Sequence, residues 1–182
     1  MSERLPGFRP GPTPWRRLDE ASRAAFPSVC SALLLVLLAA PLGLPCQAQL
    51  GDGAVLACVF HWSVARPGWM PPSAVFLLGV LADLLVVAPL GTSSLTLLVA
   101  HGLAVSWRPA LAQGELPASW LAFVAVAALT VALDWALASL LAARVLPVDA
   151  ALIRLSLTVA LYPALAVPFG LAHRALADPE PA

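Results

Sequence analysis

Three ionisable side chains lie inside the most apolar stretches of this 182-residue chain: Asp83 in 77-LLGVLADLLVVAPLGTSSL-95, Asp134 in the run from Ala118 to Ala143, and Arg154 near the start of the last apolar run. Insertion scales put an aspartate or arginine at mid-helix in hydrocarbon at about 2.5 to 3.5 kcal/mol each. Each should therefore face protein, and opposite charges should face each other. That chemistry is charge pairing inside a bundle, not catalysis. No His-Glu-x-x-His zinc helix, Gly-x-Ser-x-Gly elbow or phosphate-cradling glycine loop occurs in the chain, and no span carries two carboxylates one turn apart. His61, beside Trp62, reads either as a proton relay or as a polar group satisfied by a neighbouring helix; His101 and His173 read in the second way. Cys30, Cys46 and Cys58 lack metal-ligand spacing and read as small hydrophobes. No catalytic residue, metal or cofactor is expected.

The elements that hold these groups follow from composition. Hydrophobic residues make up 60% of the chain and charged residues 11%, and the mean hydropathy is +0.88. Such values belong to a multi-span membrane protein whose solvent is the lipid bilayer. All ten basic residues are arginine, and Arg4, Arg9, Arg16, Arg17 and Arg23 precede the first apolar run. Clustering of that kind concerns membrane orientation, and no nucleic-acid partner is expected. Residues 1–25, rich in Pro, Gly and Arg, read as a flexible basic tail. Residues 26–174 read as one all-α transmembrane domain, and residues 175–182 as a short C-terminal tail.

Six spans are expected, with five as the alternative. The first runs from Phe26 to Leu44, where a signal peptide is the competing reading. The second, Leu50 to Ala65, is short and carries Asp52 and His61, so it could be re-entrant or interfacial. After the turn 66-RPGWMPP-72, Pro71 and Pro72 suit the first turn of a third helix that reaches about Ala88. Pro89, Leu90 and Gly91 break it, and 92-TSS-94 opens a fourth helix to about Trp107, with hydroxyls available to cap its amides. The loop 108–117, a fifth span from Ala118 to Ala143 and a sixth from Ala150 to about Ala172 complete the plan. With both termini cytoplasmic, eight arginines face inward, and only Arg144 and Arg154 lie at or near the outer face. Omitting the second span would send Arg66, Arg108 and Arg174 outward.

Depth then selects a partner. At about 1.5 Å per residue, Asp83 lies roughly 7 Å below the outer end of its span, Arg154 about 6 Å and Asp134 roughly 13 Å. An Asp83–Arg154 pair is therefore expected, with Asp134 as the rival acceptor. Gly79, one turn before Asp83, leaves space for another helix, and Thr130 offers a hydroxyl one turn before Asp134. In the fifth span Ala118, Ala122, Ala125, Ala128, Ala132 and Ala136 recur every three or four residues. That stripe reads as a close-packing face or as the alanine bias of the chain.

The run Phe76, Leu78-Gly79, Leu81, Asp83-Leu84-Leu85, Pro89-Leu90-Gly91 and Leu95 resembles the signature of MreD, the rod-shape-determining membrane protein of bacteria. The Trp-containing second span ending in Arg66-Pro67 and the arginine after the fourth span are also similar. The resemblance covers residues 26 to about 174, and its specific part is the third and fourth spans. It implies a non-enzymatic component of the cell-elongation machinery in the cytoplasmic (inner) membrane. The implied partners are MreC and, directly or through it, the MreB filament and a glycosyltransferase–transpeptidase wall synthase active in peptidoglycan synthesis. It also implies a fold similar to the substrate-binding subunits of energy-coupling-factor vitamin transporters, so a small-molecule transport subunit is the alternative function. The long basic N-terminus departs from the shorter one expected of that family.

Overall fold

A computed structural model describes residues 14–40, 43, 47–86, 90–111 and 116–177. All regular structure among them is helical: α1 (Pro14–Ala39), α2 (Gln47–Ala65), α3 (Pro72–Val86), α4 (Thr92–Leu111), α5 (Leu116–Leu141) and α6 (Asp149–Ala177), with one 3₁₀ turn at Pro67–Trp69 between α2 and α3. Two helical stretches, Pro117–Leu141 and Asp149–Ala166, are long and apolar enough to cross a membrane; shorter apolar stretches run over Ala25–Ala39 and Pro72–Leu85. Pro89 and Cys46 lie outside the described residues, as do residues 1–13 of the N-terminal tail.

The helix ends have identifiable causes. Gln47, the first residue of α2, donates its side-chain amide back to the carbonyl of Leu38 at 2.5 Å and to that of Ala40. It thus satisfies acceptors left open at the end of α1 and joins the two helices tightly. Pro72 opens α3, as its fixed φ and missing amide favour. Arg144 N donates to Ser139 O and Ala143 N to Leu140 O, both at 3.1 Å, and Ala143 adopts φ 50. This is a Schellman closure of α5 with alanine in the left-handed position that glycine usually takes. The helix therefore stops at Leu141, short of Ala143, and Asp134 lies closer to the helix end than its expected depth. At the chain's start, α1 begins at Pro14, inside the segment read as a tail. The expected loop 108–117 is shorter than its composition implies, because α4 runs through Arg108 and Pro109 to Leu111.

The central element is α2, the segment whose span was most doubtful. It is a continuous helix of 19 residues, packed against α1, α4 and α6. Every residue from Gly53 to Phe60 is buried, as are Trp62 and Ser63. A helix enclosed by protein needs no lipid-facing surface, which explains how it accommodates Gly51, Asp52, Gly53 and Ser63. Phe60 meets Phe123 of α5 and Tyr162 of α6 at ring distances of 5.4 and 5.8 Å, and Phe123 stacks on Tyr162 at 4.2 Å. Gly53 lets α6 approach: a Cβ there would stand 2.8 Å from Thr158 Oγ1 and 3.2 Å from its Cα.

The alanine stripe of α5 is only in part a packing face: Ala122 packs against the core and Ala128 is half-buried. Ala118, Ala125, Ala132 and Ala136 are exposed, whereas Phe123, Val126, Ala127, Thr130 and Val131 are buried. Most of the contact is thus made off the stripe, by Phe123, Val126 and Val131 together with Ala127 and Thr130.

Candidate functional site: a capped hairpin beside a charged triad

Two polar constellations sit where α1, α3 and α5 end and α2, α4 and α6 begin. The first is built on Asp83, which is 1% exposed. Its Oδ2 accepts from the Gly91 amide at 2.7 Å, and its Oδ1 from the Ser93 amide at 3.0 Å and the Thr92 hydroxyl at 3.3 Å. The amides of a helix's first turn have no intrahelical acceptor and carry the positive end of the helix dipole. Asp83 therefore caps α4 from the neighbouring helix α3. Gly91 adopts φ +100, a conformation that favours glycine, and its carbonyl accepts the first helical bond from Leu95 at 3.0 Å. Gly79 completes the unit, since a Cβ there would lie 2.6 Å from Ser94 N and 2.8 Å from Ser94 Oγ. Leu90 occupies the turn, largely exposed.

This geometry corrects the expected Asp83–Arg154 pair. Among the described residues the ion pairs of Arg154 are with Asp134, at 2.7 Å, and with Asp52, at 3.4 Å. Two features of the fold account for the difference. Asp134 is seven residues from the end of its helix, about 10 Å, because α5 closes at Leu141. Equal depth also says nothing about direction around the helix, and Asp83 faces the backbone of α4, where amides replace the expected cation. The Thr92 hydroxyl donates to the Asp83 carboxylate.

The second constellation is this triad. Asp52 comes from the second turn of α2, Asp134 from the last third of α5 and Arg154 from the second turn of α6. Their side chains are 19%, 15% and 28% exposed. One guanidinium is thus shared by two carboxylates; among the described residues no donor lies within strict hydrogen-bond geometry of the buried Asp134 Oδ1, and the Thr96 side chain stands close to this carboxylate. A cavity of 20 Å³, room for about one water, lies between the two constellations, lined by Ala82 and Ser93 on one side and by the triad, Thr96 and Thr130 on the other. The triad also lines a cleft of 370 Å³ that opens between α2, α5 and α6. Asp52 was missed as a partner because it stands at the edge of the doubtful second span. Its position at the same end of the bundle as Arg154 was the signal available.

Away from this end, His101 is 8% exposed and sits 2.7 Å through Nδ1 from Ser63 Oγ, and Ser63 donates to Val59 O at 2.5 Å. With the hydroxyl proton on Val59, His101 is the donor. It is the helix-satisfied histidine that the sequence predicts. His61 lies edge-on to Trp62 at 5.8 Å. Cys58 is buried and Cys30 half-buried, both free thiols. Among the described residues no group of three His, Cys, Asp or Glu side chains could hold a metal. No family model, curated protein or solved structure matches the chain.

Proposed function

We propose that the chain is a six-span, MreD-like protein of the bacterial inner membrane, a non-enzymatic component of the cell-elongation complex that acts with MreC. The carrying observation is that residues of the resemblance form one physical device. Gly79, Asp83 and Gly91 are respectively the contact point, the cap and the turn of a single α3–α4 hairpin. A sequence pattern that builds one closed hairpin is a stronger basis for the reading than matching letters in an apolar run.

The membrane placement draws support from the distribution of apolar side chains. Leu33 on α1, Leu77 and Leu84 on α3, Leu121 on α5 and Ile153 on α6 are each more than half exposed, while α2 is enclosed. Apolar surface of that extent on four helices suits lipid and not water. With the arginine-rich N-terminus in the cytoplasm, the Asp83 cap and the triad belong to the outer half of the bundle. Co-isolation tests the partner: the detergent-solubilised chain should retain MreC from its own host, and loss of MreC under conditions that keep the chain folded argues against the reading. A small-molecule transport subunit is the second reading, favoured by the 370 Å³ cleft.

A further inference from the structure

We propose that the cleft between α2, α5 and α6 binds a small organic ammonium ion, its cationic head against Asp52 and Asp134 and its apolar body along Trp135, Ala138 and Pro147. This site goes beyond the cell-elongation reading and does not depend on it. Charge balance is the first argument: the floor carries two carboxylates and one guanidinium, so one negative charge is uncompensated within the triad. In a low-dielectric surrounding that excess is costly unless a proton or a cation meets it. Asp134 lines both the cleft and the water-sized cavity, and the Asp52 and Asp134 side chains keep 19% and 15% of their surface open. An ammonium ion brings both the charge and the N–H groups.

Shape and wall chemistry select the rest of the ligand. A volume of 370 Å³ falls within the usual range of small-molecule sites, roughly 300 to 1,000 Å³. The indole of Trp135 is held in place by its Nε1 donating to Leu146 O at 3.1 Å, so a rigid aromatic wall stands one residue from Asp134. Aromatic faces attract cations in addition to burying apolar groups. An anion would meet the excess negative charge, and a neutral ligand would leave it unmet. The chemistry is shared by free organic amines and by the ethanolamine head group of a phospholipid, which can reach a cleft open at a bundle end.

The test uses the full chain purified in maltoside micelles, which contain no amine, with thermal unfolding followed against benzylamine or its neutral analogue benzyl alcohol. Benzylamine should raise the midpoint saturably, and benzyl alcohol should bind about tenfold more weakly or worse, the cost of losing a charge-assisted bond. Asp52→Asn should weaken benzylamine by a similar factor. Ala151→Trp, which fills the cleft and leaves the triad untouched, should abolish binding, and Asp149→Asn, outside the cleft, should leave it unchanged. Repeating the titration in nanodiscs distinguishes the sources. Competition that appears only when phosphatidylethanolamine replaces phosphatidylglycerol identifies the head group, and its absence identifies a free amine. Equal binding of alcohol and amine, retained affinity in Ala151→Trp, or no saturable shift with benzylamine would overturn the proposal.

Discussion

The carboxylate of Asp83 and the amide of Gly91, eight residues apart in sequence, are joined at 2.7 Å across a helical hairpin. The bond answers why an aspartate stands inside an apolar run. Its counter-charge is the first turn of the next helix, which presents backbone donors and a partial positive charge at a fixed position. The cost of burying a carboxylate is thus offset without a cation, and Arg154 is left for other acids.

Asp83→Asn should destabilise the chain by about 1 to 3 kcal/mol, because an amide replaces one acceptor oxygen with a donor that faces backbone N–H groups. Thermal unfolding in detergent measures the loss. Combined with Arg154→Gln, the two effects should add, since the residues do not form a pair. A coupling of 1 kcal/mol or more, on the order of that for contacting residues, would restore the ion pair expected from depth.

The triad should behave in the opposite way. Arg154→Gln leaves Asp52 and Asp134 facing each other without their shared guanidinium, a change of about 3 to 5 kcal/mol for a buried pair broken on one side, reduced here by the partial exposure of all three groups. Adding Asp134→Asn should recover part of that loss. Strict additivity in this cycle would mean that the 2.7 Å contact contributes nothing measurable.

Two glycines should respond with opposite signs to alanine. At Gly79 the new Cβ would overlap the backbone of Ser94, so α3 and α4 must part, at a cost of about 1 to 3 kcal/mol. At Gly102 nothing lies within 4 Å, and the better helix propensity of alanine should leave stability unchanged or raise it by up to about 1 kcal/mol. Equal responses at the two positions would show that the hairpin is not closely packed at Gly79.

Much of this architecture is legible from residue types alone. Pro72 and Thr92 mark helix starts because proline and hydroxyl residues have few other uses at such positions, and the apolar runs give the helix count. The closure of α5 was not legible, because Ala143 occupies a left-handed position without the glycine that usually announces it. The centrality of α2 was hidden for a related reason. Its glycines and Asp52 lower its hydropathy and suggest a marginal span, yet those are the residues that permit close approach of α6 and anchor Arg154. Depth along a helix can be counted from sequence, whereas the direction a side chain faces depends on packing between helices.

The six-span plan has a direct check in orientation. A reporter active only in the periplasm, fused after Ala182, should give no signal under the proposed topology, which draws on the arginine distribution to put both termini in the cytoplasm. A strong signal would require an odd number of spans.

Depletion of the protein in its own host, followed by cell shape, bears most directly on the central claim. Rod-shaped cells should become round, wild-type chain should restore them, and an added vitamin mixture should not. Cells that stay rod-shaped on depletion, or that recover when vitamins are supplied, would contradict a role in cell elongation and favour transport through the same bundle.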